Sequence, residues 1–151
     1  MDPNDFLPTV TNLNVIPHIR DLAIAYALAF AIGWNRERED RSAGLRTFPL
    51  VAIAACGFVQ GTEHMTADNP EAMARIVEGV ITGIGFVGAG AIIKDAGHVH
   101  GTATAASIWA TGAIGVAVAL GSYDVAAVVT LFTVLTLYAL SRLKPERTGP
   151  G

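Results

Sequence analysis

Five apolar blocks, at residues 22–34, 48–61, 76–93, 103–120 and 125–140, alternate with short polar segments. This is the layout of a chain whose helices cross about 30 Å of hydrocarbon. The pattern predicts an all-α membrane protein of about five transmembrane helices. The first block is short against the ~20 residues a straight span needs, so it must borrow residues 15–19 or thin the bilayer locally. Its stretch AIAYALAFAIG alternates small and large residues, the period of a half-buried strand. An isolated span must satisfy its backbone internally, so helix prevails, and the same residues then form two small-residue ridges. One ridge is Ala23, Ala27 and Ala31; the other is Ala25, Ala29 and Gly33.

Composition agrees with the pattern. Of 151 residues 52% are hydrophobic and 15% charged, with a mean hydropathy of +0.46. No basic n-region precedes the first block, so that block is expected to stay in the membrane rather than be cleaved. The single cysteine, Cys56, excludes an intrachain disulfide, and a net charge of -3 argues against nucleic-acid binding. Arg36, Arg38, Arg41, Arg46, Lys94, Arg142, Lys144 and Arg147 all fall on one side of a five-span arrangement, whereas the other receives only Arg20 and Arg75. The positive-inside rule then puts the N-terminus outside and the C-terminus in the cytoplasm. The expected organisation is an extracytoplasmic segment over 1–21, a membrane domain over 22–141 and a cytoplasmic tail over 142–151.

The stretch GIGFVG, residues 83–88, fits the glycine spacing of a dinucleotide-binding turn. It lies inside an apolar run, and the position for a ribose-binding acid falls in ATAASIWA. No nucleotide is expected. On a helix Gly79, Gly83 and Gly90 share one line while Gly85 and Gly88 lie on another face, so two neighbours can approach closely. So many glycines also fit a break in this third helix near residues 85–90, where freed backbone groups line a polar cavity.

Polar residues at membrane depth are the candidates for function. Glu78 shares a helix face with Thr82, Gly85 and Ala89; its bland alternative is an interfacial glutamate in the first turn of a helix. Thr104, Ser107 and Thr111 form a hydroxyl stripe that lines a solute path or bonds back to its own helix. Asp95, His98 and His100 in KDAGHVHG give a weak divalent-metal site or a solvated turn. The segment NRERED, with its alternating signs, is a solvated face or a contact for anionic headgroups and partners.

Three stretches together, GWNRERE with SAGLRTFPLVA, GIGFVGAGAIIKD, and HGTATAASIWATGAIGVAVALG, resemble the membrane domain of the MgtC/SapB family of bacterial membrane proteins. The resemblance covers residues 22–140 and implies that the C-terminal cytoplasmic domain of some members is absent. By position, the family's Arg-Glu pair falls on Arg36 and Glu37, and its Gly-Leu-Arg-Thr motif on Gly44, Leu45, Arg46 and Thr47. Its glycine motif falls on Gly83, Gly85, Gly88 and Gly90, and its Thr-Ala-Ala-Ser-x-Trp stretch on 104–109. The family commonly has Glu at Asn35 and Gln at Glu78.

The resemblance implies a multi-pass protein of the bacterial inner membrane linked to magnesium homeostasis, acid stress or intracellular survival. Two functions compete. One is a regulator that packs against another membrane complex, such as an ATP synthase or a cation transporter. The other is a transporter or channel subunit for Mg²⁺ or another cation, with Glu78, a broken third span and the hydroxyl stripe as its path. With one intramembrane acid per chain, a cation path then calls for an oligomer in which several carboxylates converge, or for water and carbonyl ligands around a hydrated Mg²⁺, and a homodimer is expected in either case. The lipid bilayer is the remaining partner. No nucleophile–base pair is present, so an enzyme is not expected, and no cofactor beyond Mg²⁺ as a ligand or cargo.

Overall fold

A computed structural model describes residues 15–39, 42–95 and 98–142. The chain is mostly helical. In order, the elements are α1 (Val15–Arg38), α2 (Thr47–Gly61), the single-turn α3 (Glu63–Thr66), α4 (Pro70–Ala89), strands β1 (Ile93–Asp95) and β2 (His98–His100), α5 (Thr102–Ala119) and α6 (Tyr123–Arg142). Three helices, α1, α4 and α5, are long and apolar enough to cross a membrane, and Thr47–Gly61 and Tyr123–Ala139 are shorter apolar helices. The first helix does take up residues 15–19. Expected residues 1–14 and 143–151 of the terminal segments lie outside the described residues.

The third long helix departs from expectation at both ends. It begins at Pro70 because Asn69 caps it, accepting the Ala72 N–H at 3.0 Å, with Pro70 in the first turn and Glu71 at the positive end of the helix dipole. It then runs unbroken through Gly83, Gly85 and Gly88 and ends at Ala89, so the irregular backbone expected near residues 85–90 falls at the end of the helix, at Gly90, and not within it. In hydrocarbon an interrupted helix leaves backbone groups without partners, a larger loss than the ~1 kcal/mol each glycine costs in propensity. The helix stops at Ala89, and the chain beyond it forms an antiparallel hairpin pairing Ile93 with His100 and Asp95 with His98. Block 76–93 therefore ends at the start of a strand, which the β-branched Ile93 suits. Gly101, at φ +86°, turns the chain from the hairpin into α5 where a side chain would strike the Ala91 carbonyl.

The long helices are arranged around α5, which packs on α1, α2, α4 and α6. Its lack of charged residues and its many small ones suit this central place. Gly115 lies against the Ala52 carbonyl and the Ala55 methyl of α2, and Gly112 receives the Ile84 side chain of α4. Of the two alanine ridges on α1, Ala25, Ala29 and Gly33 are buried in the core, while Ala23, Ala27 and Ala31 face outward beside the exposed rings of Tyr26, Phe30 and Trp34. In contrast, Gly88 is the one buried residue of α4, seated on the Ala105 carbonyl.

Candidate functional site

Two polar clusters close the bundle at opposite ends. At the C-terminal end of α1, Arg36 is only 4% exposed. Its Nη2 donates to Thr104 Oγ1 on α5 at 2.8 Å, and its Nη1 lies 3.3 Å from Glu39 Oε2. The neighbouring Glu37 carboxylate accepts the Leu45 backbone N–H at 3.1 Å. That bond requires the turn to pass directly over α1. Gly44 makes this possible, since a Cβ there would collide with the Glu37 carboxylate, and the Gly44 carbonyl also sits within 3.2 Å of where a Gly33 Cβ would be. The same carbonyl accepts the N–H of Thr47 and of Phe48 and so starts α2. Arg36, Glu37, Gly44 and Thr47 are thus brought together, whereas Arg46 is exposed.

The second cluster was not singled out by the sequence. Asp21, 7% exposed on α1, accepts Arg20 Nε at 2.8 Å and the Tyr123 hydroxyl at 2.9 Å on Oδ1, and Gln60 Nε2 at 2.9 Å on Oδ2. Arg20 Nη2 also donates to the Tyr123 hydroxyl at 2.8 Å. A carboxylate at the edge of an apolar bundle is retained when charge-assisted bonds replace its water, and here α1, α2 and α6 each supply one. The available signal was a polar residue abutting each of three apolar blocks at the same end: Asp21 before the first, Gln60 at the close of the second, Tyr123 before the last.

The hydroxyl stripe is buried in the bundle. Ser107 Oγ donates to the Thr104 carbonyl at 2.9 Å and Thr111 Oγ1 to the Ser107 carbonyl at 2.8 Å, both within their own helix. Glu78 and Thr82 are exposed on α4 and point away from α5, so one chain does not bring them to the stripe. A Cβ at Gly79, Gly83 or Gly85 would meet nothing within 4 Å, and Gly90 closes α4 by donating to the Phe86 carbonyl. In the hairpin, His98 and His100 lie on one strand with ring centroids 6.4 Å apart. The Asp95 side chain lies outside what is described, and among the described residues no three His, Cys, Asp or Glu side chains gather as metal ligands.

Apolar helices tied by buried charges at both ends of the bundle define a helical membrane protein. Comparison with known sequences is more specific. Residues 22–145 match the MgtC family, and the chain belongs to that family. It is 39% identical over 137 residues to protein SrpB of Synechococcus elongatus, a match covering 82% of this chain and 74% of that protein. It is 40% identical over 121 residues to protein MgtC of Brucella abortus, covering 80% and 50% of the two chains. Against protein MgtC of Salmonella typhimurium it is 38% identical over 117 residues, covering 78% and 49%. The chain thus spans about half the length of the MgtC proteins it matches. No solved structure matches it.

Proposed function

We propose that this chain is a five-span protein of the bacterial inner membrane, with its N-terminus outside and C-terminus in the cytoplasm. It acts in magnesium homeostasis or stress adaptation by binding and modulating another membrane complex, such as an ATP synthase or a cation transporter, and catalyses no reaction itself. Membership of a family whose relatives carry the name MgtC supports the magnesium link. The observation that carries the regulatory reading is the outward face of α4. There Glu78 and Thr82 are exposed and a side chain at Gly85 would find open space, within a helix otherwise apolar enough to span. A carboxylate on such a face is costly against lipid and is covered at low cost by a polar partner helix. A second copy docks on the exposed ridge of Ala23, Ala27 and Ala31.

A cation transporter is the second reading, favoured by the same outward placement of Glu78, because copies meeting through α4 would bring several carboxylates to one axis. Mg²⁺ flux into proteoliposomes separates the two. The regulator gives flux no greater than empty liposomes, while Glu78→Leu and Gly85→Leu, both folded, fail to restore growth of a deletion strain in low magnesium. Flux above empty liposomes that disappears in Glu78→Gln overturns the regulatory reading in favour of transport.

A further inference from the structure

Between α2 and α4 runs an apolar groove of about 550 Å³, walled by Val51, Ala55 and Phe58 on one side and by Gly79, Gly83 and Val87 on the other. That is within the ~300–1,000 Å³ range of ligand clefts. The two glycines leave it open, since a Cβ at either would touch nothing within 4 Å, whereas Gly88, Gly112 and Gly115 are each pressed against a neighbouring helix. At the mouth, beside Thr62 just past the end of α2, stands Arg75. It is exposed and makes no hydrogen bond or ion pair among the described residues, although Glu71 and Glu78 lie one turn away on either side. From Arg75 to Val87 the helix rises about 18 Å, close to the ~15 Å depth of one leaflet's hydrocarbon and short of the ~30 Å a spanning helix would need. On the α2 side Phe58 stands up from the groove, 65% exposed. A helix about 10–12 Å across seats poorly on the glycines beside that ring, while a flexible acyl chain fits.

The geometry points to a binding site for an anionic phospholipid of the surrounding bilayer, with one acyl chain lying along Gly79 and Gly83 and the phosphate group on Arg75. The site is in the leaflet at the Asp21 end of the bundle and rests on neither reading of function above. Its chemistry is that of a basic residue at the interface attracting an anionic headgroup, a contact that favours the anionic lipid roughly fivefold per charge.

The full chain, purified in mild detergent and incubated with an equimolar mixture of phosphatidylglycerol and phosphatidylcholine of matched chains, is weighed with its retained lipid by native mass spectrometry. Wild type retains phosphatidylglycerol with about fivefold preference. Arg75→Gln, which disturbs no internal contact, retains both lipids equally; Gly83→Leu, with unchanged helical circular dichroism, retains neither. Equal retention of the two lipids by wild type, or undiminished retention by Gly83→Leu, overturns the proposal. So does a disulfide-linked dimer from Gly83→Cys on a Cys56→Ala background in membranes, because it would mean that a second copy occupies the groove.

Discussion

The Arg36 guanidinium donates to the Thr104 hydroxyl across 68 residues of sequence, at 2.8 Å and out of contact with solvent. Replacing Thr104 by Val keeps the shape and removes the acceptor. A buried charged donor that loses an acceptor costs about 1–3 kcal/mol. Thermal unfolding in detergent should show this loss for Thr104→Val, and Arg36→Lys should lose at least as much, since an ammonium does not reproduce the fork that reaches Thr104 and Glu39 together.

At the other end, Tyr123→Phe and Gln60→Leu each remove one donor from Asp21 and should each destabilise by about 1 kcal/mol. They share one carboxylate, so their effects are not independent. A double-mutant cycle should give a coupling of at least ~0.5 kcal/mol, and additivity within error would mean that the two bonds act separately.

Glycines along one apolar chain differ sharply in what surrounds them. A methyl group at Gly115 would meet the Ala52 carbonyl and force α2 away from α5. Gly115→Ala should therefore cost about 1–3 kcal/mol. Gly85→Ala, with open space around it, should be neutral or stabilising by up to ~1 kcal/mol. Chemical unfolding of the two variants side by side reads the contrast.

The orientation is tested by labelling. On a Cys56→Ala background, an impermeant maleimide applied to intact spheroplasts should label Asp68→Cys, in the turn before α4, and should reach Ser42→Cys only after the membrane is opened. The reverse order would invert the topology.

Much of the fold was legible because membrane helices are governed by local rules. Apolar blocks located α2, α5 and α6 to within about two residues, and small-residue spacing marked two ridges on α1, of which Ala25, Ala29 and Gly33 are buried while the other faces outward. The ends of α4 were not legible from hydropathy, because its start is set by the Asn69 cap and its end by a hairpin pairing residues across a turn. The family motif around Arg36 and Gly44 was visible as letters, but its geometry depends on Thr104 in a distant helix. The Asp21 cluster shows the same limit more strongly. Gln60 is 39 and Tyr123 102 positions away, and no periodicity along the chain specifies which helix ends will meet.

The central position of α5 has a consequence for how the protein is made. It packs on four helices, yet three of the five long helices leave the ribosome before it. Arg36 precedes its acceptor Thr104 by 68 residues, which at ~5–20 residues per second is a delay of about 3–14 s. During that interval α4, whose Gly88 and Ile84 both seat against α5, has no such surface to join. Helices α1 and α2 pack on each other and can pair in that interval, but Arg36 lacks Thr104 and α4 lacks most of its seat, so closure of the bundle waits on the arrival of one helix.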